Sequence, residues 1–238
     1  MAERVWQDEN VDAEVDGVHV LMRLGKREEQ QDAVFVTPGV VAVADGMGGH
    51  TDGAAASKVA LDAFAGTIDD GGGLSDAASH ADAAVRALAG GGWSPRAPGT
   101  TLVAARLDGG VVRGVWSGDS RAYRLRVDGL LELLTEDHTG FMGAIEHALG
   151  GFSPDALHLD EFSCEVADTA GLLLCTDGLT GPFDAAWHHG DTVGDVRLVD
   201  GDATATIATL LTDRGIRGLV DLAAQVGSDN VTAAWWPL

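Results

Sequence analysis

Five aspartates in this chain sit where apolar segments meet loops, and their placement suggests metal chemistry. Asp45 closes the apolar run "VVAVAD" (40–45) and precedes Gly46, Gly48 and Gly49. Asp177 closes "GLLLCTD" (171–177) and precedes Gly178. Asp119 follows "VVRGVWSG", Asp229 precedes Asn230 and the last apolar run, and Asp32 opens "DAVFVT". Taken singly, each reads as ordinary turn chemistry, since Asp bonds nearby backbone and Gly accepts φ > 0. Gathered at one core edge, they would repel by about 4 kcal/mol per pair at ~4 Å and an effective dielectric of 20. Divalent cations would relieve that repulsion, and an all-oxygen donor set suits Mg²⁺ or Mn²⁺. No His/Cys set of the zinc kind stands out. Spacing alone leaves open whether the five converge.

The elements that would position them are short strands. "GVHVLMRL" (17–24), "DAVFVT" (32–37), "VVAVAD" (40–45), "TTLVAARL" (100–107) and "VVRGVWSGD" (111–119) are apolar or alternating. So are "RAYRLR" (121–126), "LLELL" (130–134), "GLLLCTD" (171–177) and "VTAAWW" (231–236). Turns at Pro38-Gly39, Asp108-Gly109-Gly110 and Asp128-Gly129 divide them. Such tight spacing predicts antiparallel hairpins, because parallel strands need longer crossovers. Helical spacing covers 53–66, 75–90 with Ser75 as a candidate N-cap, and 203–226 with a break at Gly215 or Gly218. The glycine at each Asp-Gly pair reads as a turn where a buried strand ends. Sheets covered by helices follow, rather than a doubly wound sheet.

Composition narrows the partners. The 238 residues carry 37 acidic and 15 basic side chains, a net charge of −22, and only two lysines, Lys26 and Lys58. No basic cluster exists to grip a nucleic-acid backbone or an anionic membrane. No apolar run approaches the roughly 20 residues of a membrane span, and "MAERVWQDEN" lacks the apolar core of a signal peptide. Cys164 and Cys175 form no CxxC pair, and Cys175 lies within an apolar run. A cytoplasmic, monomeric protein is expected, formed as one domain over 1–238.

Seven blocks, in order, resemble the metal-dependent protein serine/threonine phosphatases of the PPM (type 2C) family in compact bacterial form. They are "REEQQDAVFV", "VADGMGGHTDGAAAS", "GTTLVAARL", "SGDSRAYRLR", "LTEDHT", "LLLCTDGLT" and "GSDNVTAAW". The resemblance implies a four-layer α/β/β/α sandwich, an α+β fold of two antiparallel sheets flanked by helices. It implies a Mn²⁺ or Mg²⁺ binuclear centre, possible third ion included, that activates water to hydrolyse phosphoserine and phosphothreonine without a phosphoenzyme. By position, Asp45 is the bridging and catalytic ligand, and the Gly46 carbonyl joins it. Asp177 and Asp229 complete the first metal, Asp119 belongs to a third, and Asp32 holds solvent at the second. Arg27 stands where the family binds phosphate and assists catalysis. Asn230 is expected to support the site.

Departures from the family pattern also carry information. Gln30 and Gln31 precede Asp32, where relatives commonly show Asn and then Glu or Gln. Met47 occupies a place that holds histidine in some relatives, while His50 lies three residues on. His138 reads as structural, and His188-His189 has no partner motif. The segment after "EDHT" is short, so a reduced flap and a shallow, open site are expected. Phosphorylated proteins, with a Ser/Thr kinase acting on them, are the partners implied. The rival readings are a phosphoprotein-binding pseudo-phosphatase and a phosphatase of small phosphomonoesters.

Overall fold

The computed structural model describes residues 5–48, 51–91, 94, 96–140, 143–151, 156–184, 192–193, 196–197 and 203–238. The chain starts with strands β1 (Val5–Trp6), β2 (Asn10–Val15), β3 (Val18–Arg23), β4 (Asp32–Thr37) and β5 (Val40–Met47). Helices α1 (Thr51–Asp69) and α2 (Leu74–Leu88) follow. Next come β6 (Gly99–Thr100), β7 (Leu102–Asp108), β8 (Val111–Ser117), β9 (Arg121–Arg126), β10 (Leu131–Leu133) and β11 (Leu149–Gly150). The last third contains β12 (Asp160–Glu165), β13 (Thr169–Cys175), α3 (Asp177–Asp184), β14 (Thr192–Val193), β15 (Val196–Arg197), α4 (Ala203–Val226) and β16 (Val231–Pro237).

Two large antiparallel sheets result, and β14 and β15 form a separate two-stranded pair. One large sheet orders its strands β1-β4-β5-β7-β8-β12, with β6 and β11 attached beside β5, and the other runs β10-β9-β13-β16-β3-β2. The alternation of side chains along each strand separates two cores. On β4 and β5, Val34, Val36, Val41 and Val43 face the second sheet and meet Val20, Met22, Leu172 and Leu174. Ala33, Phe35, Ala42 and Ala44 face the other way, toward Ala56, Ala60, Leu61 and Phe64 of α1. Small residues on both partners let that helix approach closely. A third core joins Leu21, Leu173 and Ala233 of the second sheet to Leu179, Ile207, Leu219 and Val220 of α3 and α4. The order is helix, sheet, sheet, helix, as the resemblance implied.

Local detail corrects several expectations. β5 does not end at Asp45 but runs on through Gly46 to Met47, where β6 pairs with it. Asp177 ends no strand; it is the first residue of α3. Ser75 lies inside α2, whose N-cap is Gly73 with no side-chain cap; Asp76 supplies the negative charge that the first turn favours. Gly215, at φ 69° and ψ 176°, makes the break in α4, and Gly218 does not. β2 and β12 are edge strands that went unforeseen because their sequences, NVDAEV and DEFSCE, bury only alternate residues among charged ones.

Candidate metal centre

Asp32 and Asp45 stand opposite each other on β4 and β5. Asp32 is buried at 1% exposure, and its Oδ2 accepts the Thr176 hydroxyl at 3.0 Å. Thr176 Oγ1 in turn accepts the Thr232 amide at 3.1 Å, so a carboxylate of one sheet is held by two threonines of the other. Asp45 is clamped through its backbone. Its N–H donates to Thr101 Oγ1 at 2.9 Å, while its carbonyl accepts Thr101 N–H at 2.9 Å and the Thr100 hydroxyl at 2.8 Å. Thr101 Oγ1 also lies 2.7 Å from the hydroxyl of Ser120, the neighbour of Asp119 in the β8–β9 connection. One hydroxyl pair thereby links the Asp45 strand to the Asp119 loop.

Asn230 performs the same service for Asp229 and Arg27. Its Nδ2 donates to the Leu24 carbonyl at 3.0 Å, and its Oδ1 accepts the Gln31 amide at 2.9 Å. The 24–31 segment is thus tied to the turn before β16. Arg27 reaches across it, with Nη2 2.6 Å from Asp229 Oδ2. Gln30 Oε1 accepts the Asp32 amide at 3.0 Å, while its buried Nε2 has no partner among the described residues.

The two Asp-Gly pairs owe their glycines to crowding rather than to turning. A Cβ on Gly46 would overlap the Gly53 carbonyl of α1, and a Cβ on Gly178 would overlap the Asn230 carbonyl. Gly46 N–H also donates to the Gln31 carbonyl at 3.1 Å. Only a residue without a side chain lets helix and strand meet here, which keeps the main chain of 45–46 at the cavity wall.

That cavity encloses about 920 Å³, and its lining includes Arg27, Asp45, Met47, Asp119, Asp177 and Asp229. Asp32 sits behind Asp45 and does not line it. Ile145, from the short segment before β11, closes one side. His50, His188 and His189 lie outside the described residues. Four of the five aspartates predicted from sequence therefore meet at one cavity, with Gly46 and Arg27, and the fifth buttresses them. Sequence reasoning missed the hydroxyls of Thr100, Thr101, Ser120 and Thr176. Each lies within a quoted block, but a threonine at a strand end looks like any other β-former.

The assembled charges oppose one another. Burial first, and then the charges of Asp177 and Asp229, push Asp32 up from 3.8 to about 7. Burial and the neighbouring Asp32 hold Asp45 well above the usual carboxylate range. Burial and Asp177 push Asp119 up to about 7. Burial and Asp229 raise Asp177. Asp177 Oδ1 is buried with no hydrogen-bond partner among the described residues. A carboxylate oxygen left bare amid like charges is a poor structural element and a good cation ligand. Asp45, the Gly46 carbonyl, Asp119, Asp177 and Asp229 could hold hard divalent ions, and the donor chemistry fits them.

Fold and site together define a helix-flanked double-sheet protein with an acidic, cation-accepting cavity at its strand ends. A family model for protein phosphatase 2C matches residues 23–211, and the chain belongs to that family. It is 34% identical over 185 residues to the serine/threonine protein phosphatase PstP of Mycobacterium tuberculosis, a match covering 66% of this chain. The aligned part is 34% of that relative, so the chain spans about a third of its length. The crystal structure of M. tuberculosis PstP/Ppp superposes with a TM-score of 0.71 at 28% identity, covering 93% of this chain and 97% of that one. The catalytic domain of PstP in complex with two manganese ions superposes with a TM-score of 0.69 at 28% identity, covering 92% and 96%.

Proposed function

We propose that this chain is a metal-dependent protein phosphatase that hydrolyses phosphoserine and phosphothreonine, using residues 1–238 as one catalytic unit. The observation that carries the reading is the convergence of Asp45, Asp119, Asp177 and Asp229 on one cavity, with an unpartnered Asp177 oxygen among them. Asp45 and the Gly46 carbonyl would hold the shared position, Asp177 and Asp229 would complete the first site, and Asp119 would serve a third. Asp32 would act from behind. The Thr176 hydroxyl fixes its Oδ2, and the carboxylate would hold solvent at the second ion. Mn²⁺ or Mg²⁺ fits this set, and two manganese ions in the related PstP domain support the pair. When bound, such ions make water a stronger acid and neutralise charge that builds on the phosphoryl oxygens.

The chain's own groups do the rest. Arg27 is half exposed at the cavity rim, where its fork of N–H donors can grip a phosphoryl oxygen while Nη2 keeps Asp229. The Asn230 bonds hold that arginine's segment against the ligand turn. Met47 lines the cavity with no proton to give, so the leaving alkoxide would not be protonated from that position. Neither cysteine acts as nucleophile: both are buried, and burial pushes Cys175 up to about 12. The cytoplasmic setting proposed here is consistent with these two free thiols. Phosphoproteins made by a Ser/Thr kinase are the proposed partners in signal transduction. No helix among the described residues is long and apolar enough to cross a membrane.

The test compares a phosphothreonine peptide, a small aryl phosphate and a phosphosugar, each with Mn²⁺, with Mg²⁺ and with EDTA. Metal-dependent turnover of the peptide is expected. Turnover of the phosphosugar alone would reassign the substrate class. Phosphopeptide binding with no turnover of any of the three would make the protein a phosphate-reading module.

A further inference from the structure

A second group of metal-ligating side chains lies beside the loop that carries Asp119. His138 follows β10, His158 precedes β12, and Asp160 is the first residue of β12. One ligand atom from each lies within 4.8 Å of the others. Asp160 Oδ2 is 3.2 Å from His138 Nε2 and 3.6 Å from His158 Nε2, so a single carboxylate oxygen sits between two imidazoles. His147 stacks on His158 with ring centroids 4.3 Å apart, and it meets His138 edge-on at 5.7 Å. Trp116, the β8 residue paired with Asp160, stacks on His138 at 5.7 Å. The chain has eight histidines, and three of them gather here, His138 and His147 from the β10–β11 connection and His158 from the approach to β12.

We propose that His138, His158 and Asp160 bind one borderline transition-metal dication of the Zn²⁺ class, with solvent or His147 in the fourth position. Two imidazole nitrogens and one carboxylate oxygen are a zinc-type donor set with one position open. They differ in kind from the all-oxygen set of Asp45, Asp119, Asp177 and Asp229, which suits harder ions. The two centres therefore sort ions by donor type.

The surroundings indicate a reversible site. His138 Nδ1 accepts the Gly118 amide at 3.2 Å, so the proton of the neutral ring rests on Nε2 and points at Asp160. Ligation through Nε2 moves that proton to Nδ1 and gives up the Gly118 bond. Losing a buried backbone bond weakens the ion's hold compared with a purely structural zinc. The gain is a tie across the segment after β10. That segment folds on itself through the Thr139–Ile145 bridge, which puts Ile145 in the cavity wall and His147 at the histidine cluster.

Protein saturated with Mn²⁺ and titrated with Co²⁺ tests this without reading activity. A four-coordinate, nitrogen-containing Co²⁺ site absorbs strongly in the visible, whereas six-coordinate oxygen sites absorb weakly. Intense bands saturating at one equivalent, and erased by Zn²⁺, are expected in the wild type. His158→Ala and Asp160→Asn should weaken Co²⁺ binding at least about 10-fold. Both side chains are about half exposed, at 45% and 48%, so the variants should fold. His158→Gln, which keeps size and polarity, should lose the site equally. Absence of the bands in wild type, or bands of undiminished affinity in all three variants, overturns the proposal.

Discussion

Replacing Asp32 by asparagine should stabilise the metal-free protein, although the carboxylate belongs to the proposed catalytic centre. The folded environment raises Asp32 from 3.8 to about 7, chiefly by burial. The folded state therefore keeps a proton that the unfolded chain releases. Its contribution to stability is fully present below pH 3.8, falls as pH rises, and is lost once pH passes about 7. At about 1.4 kcal/mol per pH unit, the wild type forfeits about 2 kcal/mol at pH 5 and about 4 kcal/mol at pH 8. Asparagine forfeits none of this, and its carbonyl still accepts the Thr176 hydroxyl. Removing the charge also relieves Asp45, which Asp32 repels. Urea unfolding in EDTA, followed by tryptophan fluorescence at pH 5 and pH 8, measures the difference between the two proteins. The variant should be the more stable, by a margin that widens toward pH 8. A margin equal at both pH values, or a variant less stable at pH 8, would refute the argument that buried like charges are held together for a ligand. Saturating Mn²⁺ should narrow or reverse the margin, because an ion that binds the folded wild type more tightly than the folded variant stabilises the wild type more by mass action.

Asp45→Asn and Asp177→Asn should each lower kcat by at least about 10²–10³, as loss of a main electrostatic stabiliser does. Steady-state rates on a phosphopeptide at saturating Mn²⁺ check this, and near-normal turnover in folded variants would contradict the ligand roles. Arg27→Ala should raise KM more than it lowers kcat, since a rim arginine binds the phosphate of ground and transition states alike. Gly46→Ala should destabilise the fold by about 1–3 kcal/mol through overpacking against the Gly53 carbonyl. A thermal melt that matches the wild type would show that strand and helix separate there at no cost.

The aspartates were legible because a carboxylate at the end of an apolar run is a visible anomaly. Asp45, Asp119, Asp177 and Asp229 could be picked out one by one, and only the family pattern tied them together. The reason for their glycines was not legible. A glycine after aspartate looks the same whether the chain turns or another backbone presses against it, and the latter holds at Gly46 and Gly178. Zinc chemistry was set aside because the sequence shows no His/Cys set of the zinc kind. His138 and His158 are twenty residues apart and meet only because β12 pairs with β8 beside Trp116.

By itself the sequence determined the hairpins, the helix-covered sheets, the family and the acidic ligand candidates, since these rest on local periodicity and on residue types that stand out. Tertiary structure alone decided which atoms meet. It set Asp32 behind Asp45 rather than beside the cavity, and it bound that residue to threonines of the opposite sheet. It also brought two histidines to one carboxylate and stacked a third histidine on one of them. Contacts between distant segments follow from how two sheets pack and register, and side-chain periodicity along one strand carries no record of what lies across the interface.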